Sequence, residues 1–394
     1  MGGPLSGVVI ADLTQLAQGP FATQILGDMG AEIIKIEPPK GDWMRAFALG
    51  NVYKEGESAS FLSFNRNKRS ISIDIKRPGA LDVVRRLVAN SDVVVENFRP
   101  GVMDRLGIGY EALKEVNPLI IYCASSGFGP TGPYVTRPGQ DLLIQSMTGF
   151  PAMTGRRQDP PTPSPVGIAD LVASQHIVYG ILAALYSREK TGKGQRVDVS
   201  LYNSLLALMI QELTTYLNGG GWLDRSRTGI PCPYLGAPYG LYRTADNWIA
   251  IAMNPVNQLA RLIGVSGYEH IDSKNQMEGG DEIKEAFQVA FLTKTTAEWL
   301  DILLAEDIWC GPLYTFMDVE EDPQVRENEM IISYDHPLVG EVRTVGIPVK
   351  FHGTPSEVTR PAPLLGQHTD EILKDVGGFT DEEIKQLRDQ RVVL

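Results

Sequence analysis

Cysteine is scarce in this chain: 394 residues contain only Cys123, Cys232 and Cys310. Three widely spaced thiols argue against a disulfide framework or a zinc cluster and for reduced core residues. The five histidines, His176, His270, His336, His352 and His368, share no ligand spacing, so no metal is expected. No stretch reaches the roughly 20 uncharged apolar residues of a membrane span. The opening Met1-Gly2-Gly3-Pro4-Leu5 has no basic flank before an apolar run. A soluble, cytoplasmic protein without membrane attachment is expected. Positive charge is also in deficit. A formal net charge of −12 disfavours nucleic acid as a partner, because that affinity comes from neutralising phosphates. Nucleophile elbow, internal repeat and low-complexity tract are all lacking, so an ordinary hydrolase or a solenoid is not indicated.

What is present is ample core material, 43% hydrophobic and 21% charged, in a chain long enough for two domains. The first third alternates β-branched runs with helical runs, the pattern of a parallel sheet covered by helices. Strands are predicted at Val8 to Leu13, Glu32 to Glu37, Ser70 to Ile75, Asp92 to Glu96 and Leu119 to Cys123. A helix starting at Pro20 and ending near Gly30 completes a β-α-β unit and implies a Rossmann-like sheet. A long buried helix is predicted from Ala169 to Ser187, then a strand from Arg196 to Val199 and a helix from Ser200 to Tyr216. Asn218-Gly219-Gly220-Gly221 and Asp224 to Arg227 read as a linker. Residues 225–330 read as a smaller, acidic, helix-rich α/β unit. Pro337 to Arg343 reads as a strand turn, and Thr369 to Val393 as two short amphipathic helices.

Two glycine patterns suggest dinucleotide binding and fail in context. Gly127 to Gly132 matches GxGxxG, but Pro130 and Pro133 remove amides where a helix would present them to phosphate. Gly107 to Ala112 follows a helix turn and not a strand, so neither a nicotinamide nor a flavin is expected. The loop Thr14 to Pro20 reads either as a plain connection or as an anion-binding helix start. Arg66, Lys68, Arg69, Lys76, Arg99 and Arg105 flank consecutive strands, where α/β folds bind ligands; a polyphosphate site and a solvated basic rim both fit. Asp170, at the start of the long helix, has a bland reading as an N-cap. Its functional reading is a carboxylate kept ionised by the helix end and made nucleophilic by an apolar flank.

Six blocks in order carry a family resemblance: Gln18-Gly19-Pro20, Gly30 to Glu37, Phe64 to Ser70, Val95 to Gly101, Thr191 to Gln195 and Leu365 to Thr369. With these blocks the chain resembles the class III CoA-transferases, which include formyl-CoA and carnitine CoA-transferases and, as a branch, the α-methylacyl-CoA racemases. The resemblance implies a large Rossmann-like domain from both chain ends, residues 1–220 and 331–394, and a small domain, 225–330, covering the active site. It implies an interlocked homodimer. By motif matching it puts the nucleophile on Asp170 and coenzyme A, as co-substrate, on Leu16, Ala17, Ile73, Asp74, Ile75, Lys76, Asn97, Phe98, Arg99, Arg105 and Arg137. Gln140 and Asp141 would line the catalytic pocket, with Ser60 and Gly236 shaping the acyl pocket. The racemase branch carries a histidine where this chain has Gln140, and glutamine exchanges no proton at neutral pH. Departures at Ala17, Ser60, Gln140 and Tyr234 to Pro238 speak against formyl or oxalyl specificity. The expected reaction is transfer of CoA from an acyl-CoA to a carboxylic acid. An α-methylacyl-CoA racemase-type isomerase and a non-catalytic acyl-CoA-binding protein stand as alternatives.

Overall fold

A computed structural model describes residues 2–271 and 279–394. Along the chain come β1 (Val9–Asp12), α1 (Gln18–Asp28), β2 (Glu32–Glu37), α2 (Ala59–Phe64), β3 (Lys68–Ser72), α3 (Ala80–Ala89), β4 (Val93–Glu96), α4 (Val102–Arg105), α5 (Tyr110–Val116), β5 (Ile121–Ser126) and α6 (Asp141–Thr148). A short α7 (Phe150–Met153) precedes α8 (Ile168–Thr191), β6 (Gln195–Ser200), α9 (Leu201–Leu208) and α10 (Ile210–Thr215). Then follow β7 (Gly240–Arg243), β8 (Trp248–Ile251), α11 (Val256–Ile263), α12 (Gly280–Phe291), α13 (Thr296–Leu304), β9 (Cys310–Pro312) and α14 (Phe316–Glu321). The chain closes with α15 (Pro323–Glu327), β10 (Ile331–His336), β11 (Gly340–Val345), α16 (Thr369–Asp375) and α17 (Asp381–Asp389).

These elements form two compact units. The first comprises Met1–Ile144, Gly167–Leu208 and Pro323–Leu394, and the second Gln145–Val166 and Met209–Asp322. The first unit holds a six-stranded parallel sheet in the order 3-2-1-4-5-6, the doubly wound order. Alternate strand residues face opposite ways. Ile10, Ile33, Val93, Val95 and Ile121 pack with Ile177, Ile181 and Ala184 of α8, while Ala11, Ile34, Ile36 and Val94 pack with α3, α5, α16 and α17. Both faces being covered, the strands are apolar almost throughout.

In the second unit β7, β8 and β9 make an antiparallel sheet. Tyr242, Ile249 and Ile251 on one face pack against Phe287, Phe291 and Trp299. The segment expected to be a linker is anchored here. Arg225 donates to the carbonyls of Thr154, Asp159 and Pro160. Asp281 at the start of α12 accepts from the Ser226 and Thr228 hydroxyls and from the Arg227 and Thr228 amides.

Three other expectations shift. The third strand runs Lys68–Ser72 instead of Ser70 to Ile75. Its charged start pairs inside the fold, and Ile73 leaves the sheet to bridge Val393. The helix expected from Ser200 to Tyr216 breaks at Met209, whose ψ of 28° departs from the helical value, where the chain passes between units. Finally, α8 is the one helix among the described residues long and apolar enough to cross a membrane. Asp170 and Arg188 bound its uncharged run, which kept it short of a span by sequence. Ile177, Val178, Ile181 and Leu185 are instead part of the core beneath the sheet.

Candidate active site

In a doubly wound sheet the connections after the strands either side of the order reversal diverge and leave a crevice at their carboxyl ends. Here those strands are β1 and β4. The loop Thr14 to Ala17 leaves β1, and Asn97 to Gly101 leaves β4, so Leu16, Ala17, Asn97, Phe98 and Arg99 all sit at the switch point.

The β1 loop is held at nearly every peptide group. The Thr14 amide and hydroxyl donate to Asp12 Oδ1, and the Thr14 carbonyl accepts Lys35 Nζ at 3.1 Å. Gln15 exchanges two hydrogen bonds with the Asn97 amide, N–H to Oδ1 at 3.0 Å and Nδ2 to carbonyl at 2.8 Å. Leu16 has a φ of 68° and donates its N–H to Asp42 Oδ1 at 3.1 Å. The Gln18 carbonyl accepts the Ser174 hydroxyl, and the Pro20 carbonyl accepts Lys68 Nζ. Beneath lies a fully buried cluster of charges, Lys68 on Asp12 at 3.1 Å and Lys35 on Asp42 at 2.8 Å. Burial alone would raise Asp12, but the two ammoniums and the Thr14 and Thr23 hydroxyls hold it at about 2. Burial pushes Lys68 down to about 8 despite Asp12.

This cluster changes the reading of the basic run. Arg66 is buried against Asp28 at 2.7 Å, Lys68 against Asp12, and Arg69 pairs with Glu32 and Asp375. These three serve the interior and do not form a solvated rim. Lys76, Arg99 and Arg105 are exposed and make no ion pair among the described residues. Arg137 is exposed and its guanidinium lies 4.1 Å from the centre of the Tyr134 ring.

Glu96, last residue of β4, is buried and accepts the Phe98 N–H at 2.8 Å and the Tyr122 hydroxyl at 3.2 Å. Burial pushes it up to about 7. Ile73 is buried beside Val393, the Asp74 amide donates to the Val392 carbonyl, Asp74 accepts the Lys76 amide, and Ile75 packs against the core. The carboxyl terminus therefore shapes the Ile73 to Lys76 segment.

Asp170 does not cap its helix. Gly167 is the N-cap residue of α8, and Asp170 lies inside the first turn. The cap is supplied from α6: Asp141 Oδ1 accepts the Ala169 amide at 2.7 Å and the Asp170 amide at 3.3 Å. A Cβ at Gly167 would lie 3.7 Å from Asp170 Oδ2 and 3.8 Å from Asp141 Oδ1, so both carboxyl groups border one small space. The Asp170 carboxyl accepts no hydrogen bond among the described residues. Burial, with the Asp141 charge second, pushes it up to about 7. The helix end favours the ionised form, whereas desolvation and the like charge of Asp141 favour the neutral one. Ser174 donates at 2.6 Å to the Gln18 carbonyl and lies 2.9 Å from the Asp170 carbonyl, so α1 and α8 meet at their amino ends. The amides of Ala17, Gln18 and Gly19 have no acceptor among the described residues, as first-turn amides do when no side chain caps them.

Of the remaining expected residues, Gln140 is exposed and caps α6, its Oε1 accepting the Leu142 amide at 3.1 Å. Ser60 is buried and its hydroxyl accepts the Leu49 amide at 2.9 Å. Gly236 belongs to the second unit, where its carbonyl accepts the Tyr239 amide at 3.3 Å beside the cis bond Ala237-Pro238. Sequence reasoning missed Asp12, Asp42 and Glu96. The available signal was Lys35 in the middle of an apolar strand, where a buried ammonium demands acidic partners.

Comparison with known proteins follows the same lines. The family model for CoA-transferase family III matches residues 5–369. Succinyl-CoA:glutarate CoA-transferase of Mus musculus is 35% identical over 392 residues, covering 98% of this chain and 89% of the relative. Formyl-CoA:oxalate CoA-transferase of Rhodopseudomonas palustris (strain HaA2) is 35% identical over 412 residues, covering 98% and 96%. The crystal structure of a CAIB/BAIF family protein from Brucella suis superposes with a TM-score of 0.80 at 31% identity, covering 95% of this chain and 100% of that one. The blocks, the doubly wound sheet and these matches agree: the chain belongs to CoA-transferase family III.

Proposed function

We propose that the protein transfers CoA from an acyl-CoA donor to a carboxylic acid, with Asp170 as the covalent carrier. The carrying observation is a carboxyl group at a helix start, desolvated, free of hydrogen-bond partners among the described residues and poised near neutrality. A carboxylate held by several donors would be a poor nucleophile; this one is available.

The reaction follows from that group. An Asp170 oxygen attacks the donor thioester carbonyl and expels CoA thiolate, leaving an aspartyl mixed anhydride. The thiolate then attacks the Asp170 carbonyl, releasing the donor acid and forming an aspartyl-CoA thioester. The acceptor carboxylate attacks that thioester, again expelling thiolate. Attack of thiolate on the acyl carbonyl of the second anhydride yields the new acyl-CoA and restores Asp170. Every intermediate is activated and water-labile, so desolvation around Asp170 serves the chemistry twice. Arg99, Arg105 and Lys76 would take CoA phosphates, and the free amides of Ala17 to Gly19 would face anionic groups at the helix start. Donor and acceptor are drawn from small acids, of the succinyl and glutarate kind for which one relative is named before the formyl and oxalate groups of another, against which the departures at Ala17, Ser60 and Gln140 speak.

A homodimer belongs to the same reading. Leu208, Ile210, Tyr216, Leu217 and Trp222, within one short stretch, are each 45% exposed or more, a concentration of apolar surface that calls for cover. The decisive experiment treats the wild type with succinyl-CoA and hydroxylamine and maps the adduct by mass spectrometry, with Asp170→Ala in parallel. Modified Asp170 and an inactive variant are expected. Transfer by Asp170→Ala would end the proposal, and deuterium entering a 2-methylacyl-CoA from heavy water would replace it with isomerase chemistry.

A further inference from the structure

Asn97 is expected to touch CoA, yet both polar atoms of its side chain are engaged elsewhere. Oδ1 accepts the Gln15 N–H at 3.0 Å and Nδ2 donates to the Gln15 carbonyl at 2.8 Å. The pair spans the crevice between β1 and β4. The next residue, Leu16, holds a φ of 68°, a conformation that costs a residue with a Cβ about 1–2 kcal/mol. Leu16 is also 40% exposed, so no packing shell over its side chain imposes that conformation. Its N–H is instead held by Asp42 Oδ1 at 3.1 Å, and Asp42 is itself fixed by Lys35 at 2.8 Å and by the Met44 amide at 2.9 Å. Strain that survives in an exposed residue must be imposed by its neighbours, and such positions cluster at ligand clamps.

We infer that Asn97 and Asp42 are positioning residues of the CoA site: they grip the peptide groups that precede Leu16, and with the far side tied into α1 through the Ala17 carbonyl, which accepts the Phe21 amide at 2.9 Å, they hold Leu16 left-handed and so aim the loop leading into α1 at the ligand. The inference rests on the proposed CoA-transfer reading and adds how its binding loop is preorganised. Asn97 acts through Gln15 and Leu16, not by touching CoA. Without the clamp, Leu16 relaxes to negative φ, and each binding event must first restore the strained loop.

Leu16→Gly gives the test, because glycine adopts positive φ without the Cβ penalty. CoA affinity is measured by titration calorimetry with CoA itself, and KM for the donor and kcat are measured alongside. Asn97→Ala is expected to weaken CoA and raise donor KM roughly tenfold while kcat changes little, as loss of ordering before binding requires. Adding Leu16→Gly should recover about fivefold of that loss, the order of the penalty removed. Amide exchange over residues 13–21 should quicken in Asn97→Ala, a local loosening. Should Asn97→Ala fold poorly, Asn97→Asp keeps the size and the acceptor for the Gln15 amide but loses the donor, and the same partial rescue is expected. Equal losses with and without the Leu16→Gly replacement would show a direct contact with CoA and overturn the inference, as would unchanged CoA affinity in both Asn97 variants. These readouts do not use Asp170, so hydroxylamine trapping separates failure of the clamp from failure of the transfer mechanism.

Discussion

Asp141 caps the helix that carries Asp170, its Oδ1 accepting the amides of Ala169 and Asp170 at 2.7 and 3.3 Å. One carboxylate thereby sets both the backbone position and, through its charge, the protonation of the other. Like-charged pairs at reaction centres behave in this way.

In the proposed reaction Asp170 must be ionised to attack, and its group sits at about 7. The rate of adduct formation should therefore fall on the acid side of a midpoint near 7. Asp141→Asn keeps an acceptor for the two amides but removes the charge. Its acid limb should move to lower pH by a fraction of a unit to about one unit, since burial, the larger cause, remains. Asp141→Ala loses the cap as well and should cost about 1 kcal/mol of stability. A pH–rate profile of hydroxylamine trapping for wild type and Asp141→Asn checks the shift; an unmoved limb would refute the coupling.

A carboxyl raised in the folded state above its unfolded value of 3.8 is stabilising only while both states are protonated. That contribution is lost as pH rises from about 4 to about 7 and stays lost above. Asp170→Asn should therefore melt higher than wild type at pH 8, with a gap that shrinks towards pH 4. Calorimetric melting of both proteins between pH 4 and 8 measures this, and a constant gap would count against it.

Lys68 lies fully buried on Asp12. Replacing it with Met strands the Asp12 carboxylate in the interior and should cost about 3–5 kcal/mol. Lys68→Met should lower the denaturant midpoint strongly, and the double replacement Asp12→Asn with Lys68→Met should be less damaging than two independent losses. Additive losses in a double-mutant cycle would show that the two residues act separately.

Arg99 and Arg105 are exposed and without ion-pair partners among the described residues. Each Ala replacement should weaken CoA about tenfold and flatten the salt dependence of binding, while stability changes stay within about 0.5 kcal/mol. Calorimetry with CoA at two ionic strengths, beside thermal melts, distinguishes this from the effect of Lys68→Met.

The sequence by itself determined the α/β class, the β-α-β unit at residues 6–37 and the long helix, because β-branched runs, Pro20 and Gly30 speak locally. It also singled out Asp170 by family blocks, while local chemistry alone made it a cap. Tertiary structure reversed that: the cap is Asp141, 29 positions earlier, a pairing no local pattern encodes. The same holds for Arg66, Lys68 and Arg69. As a string they are a basic run; in the sheet, Lys68 on β3 reaches Asp12 on β1, and Arg66, just before β3, meets Asp28 at the end of α1. Sequence lists which charges exist, but burial and pairing across strands decide which remain free for a ligand.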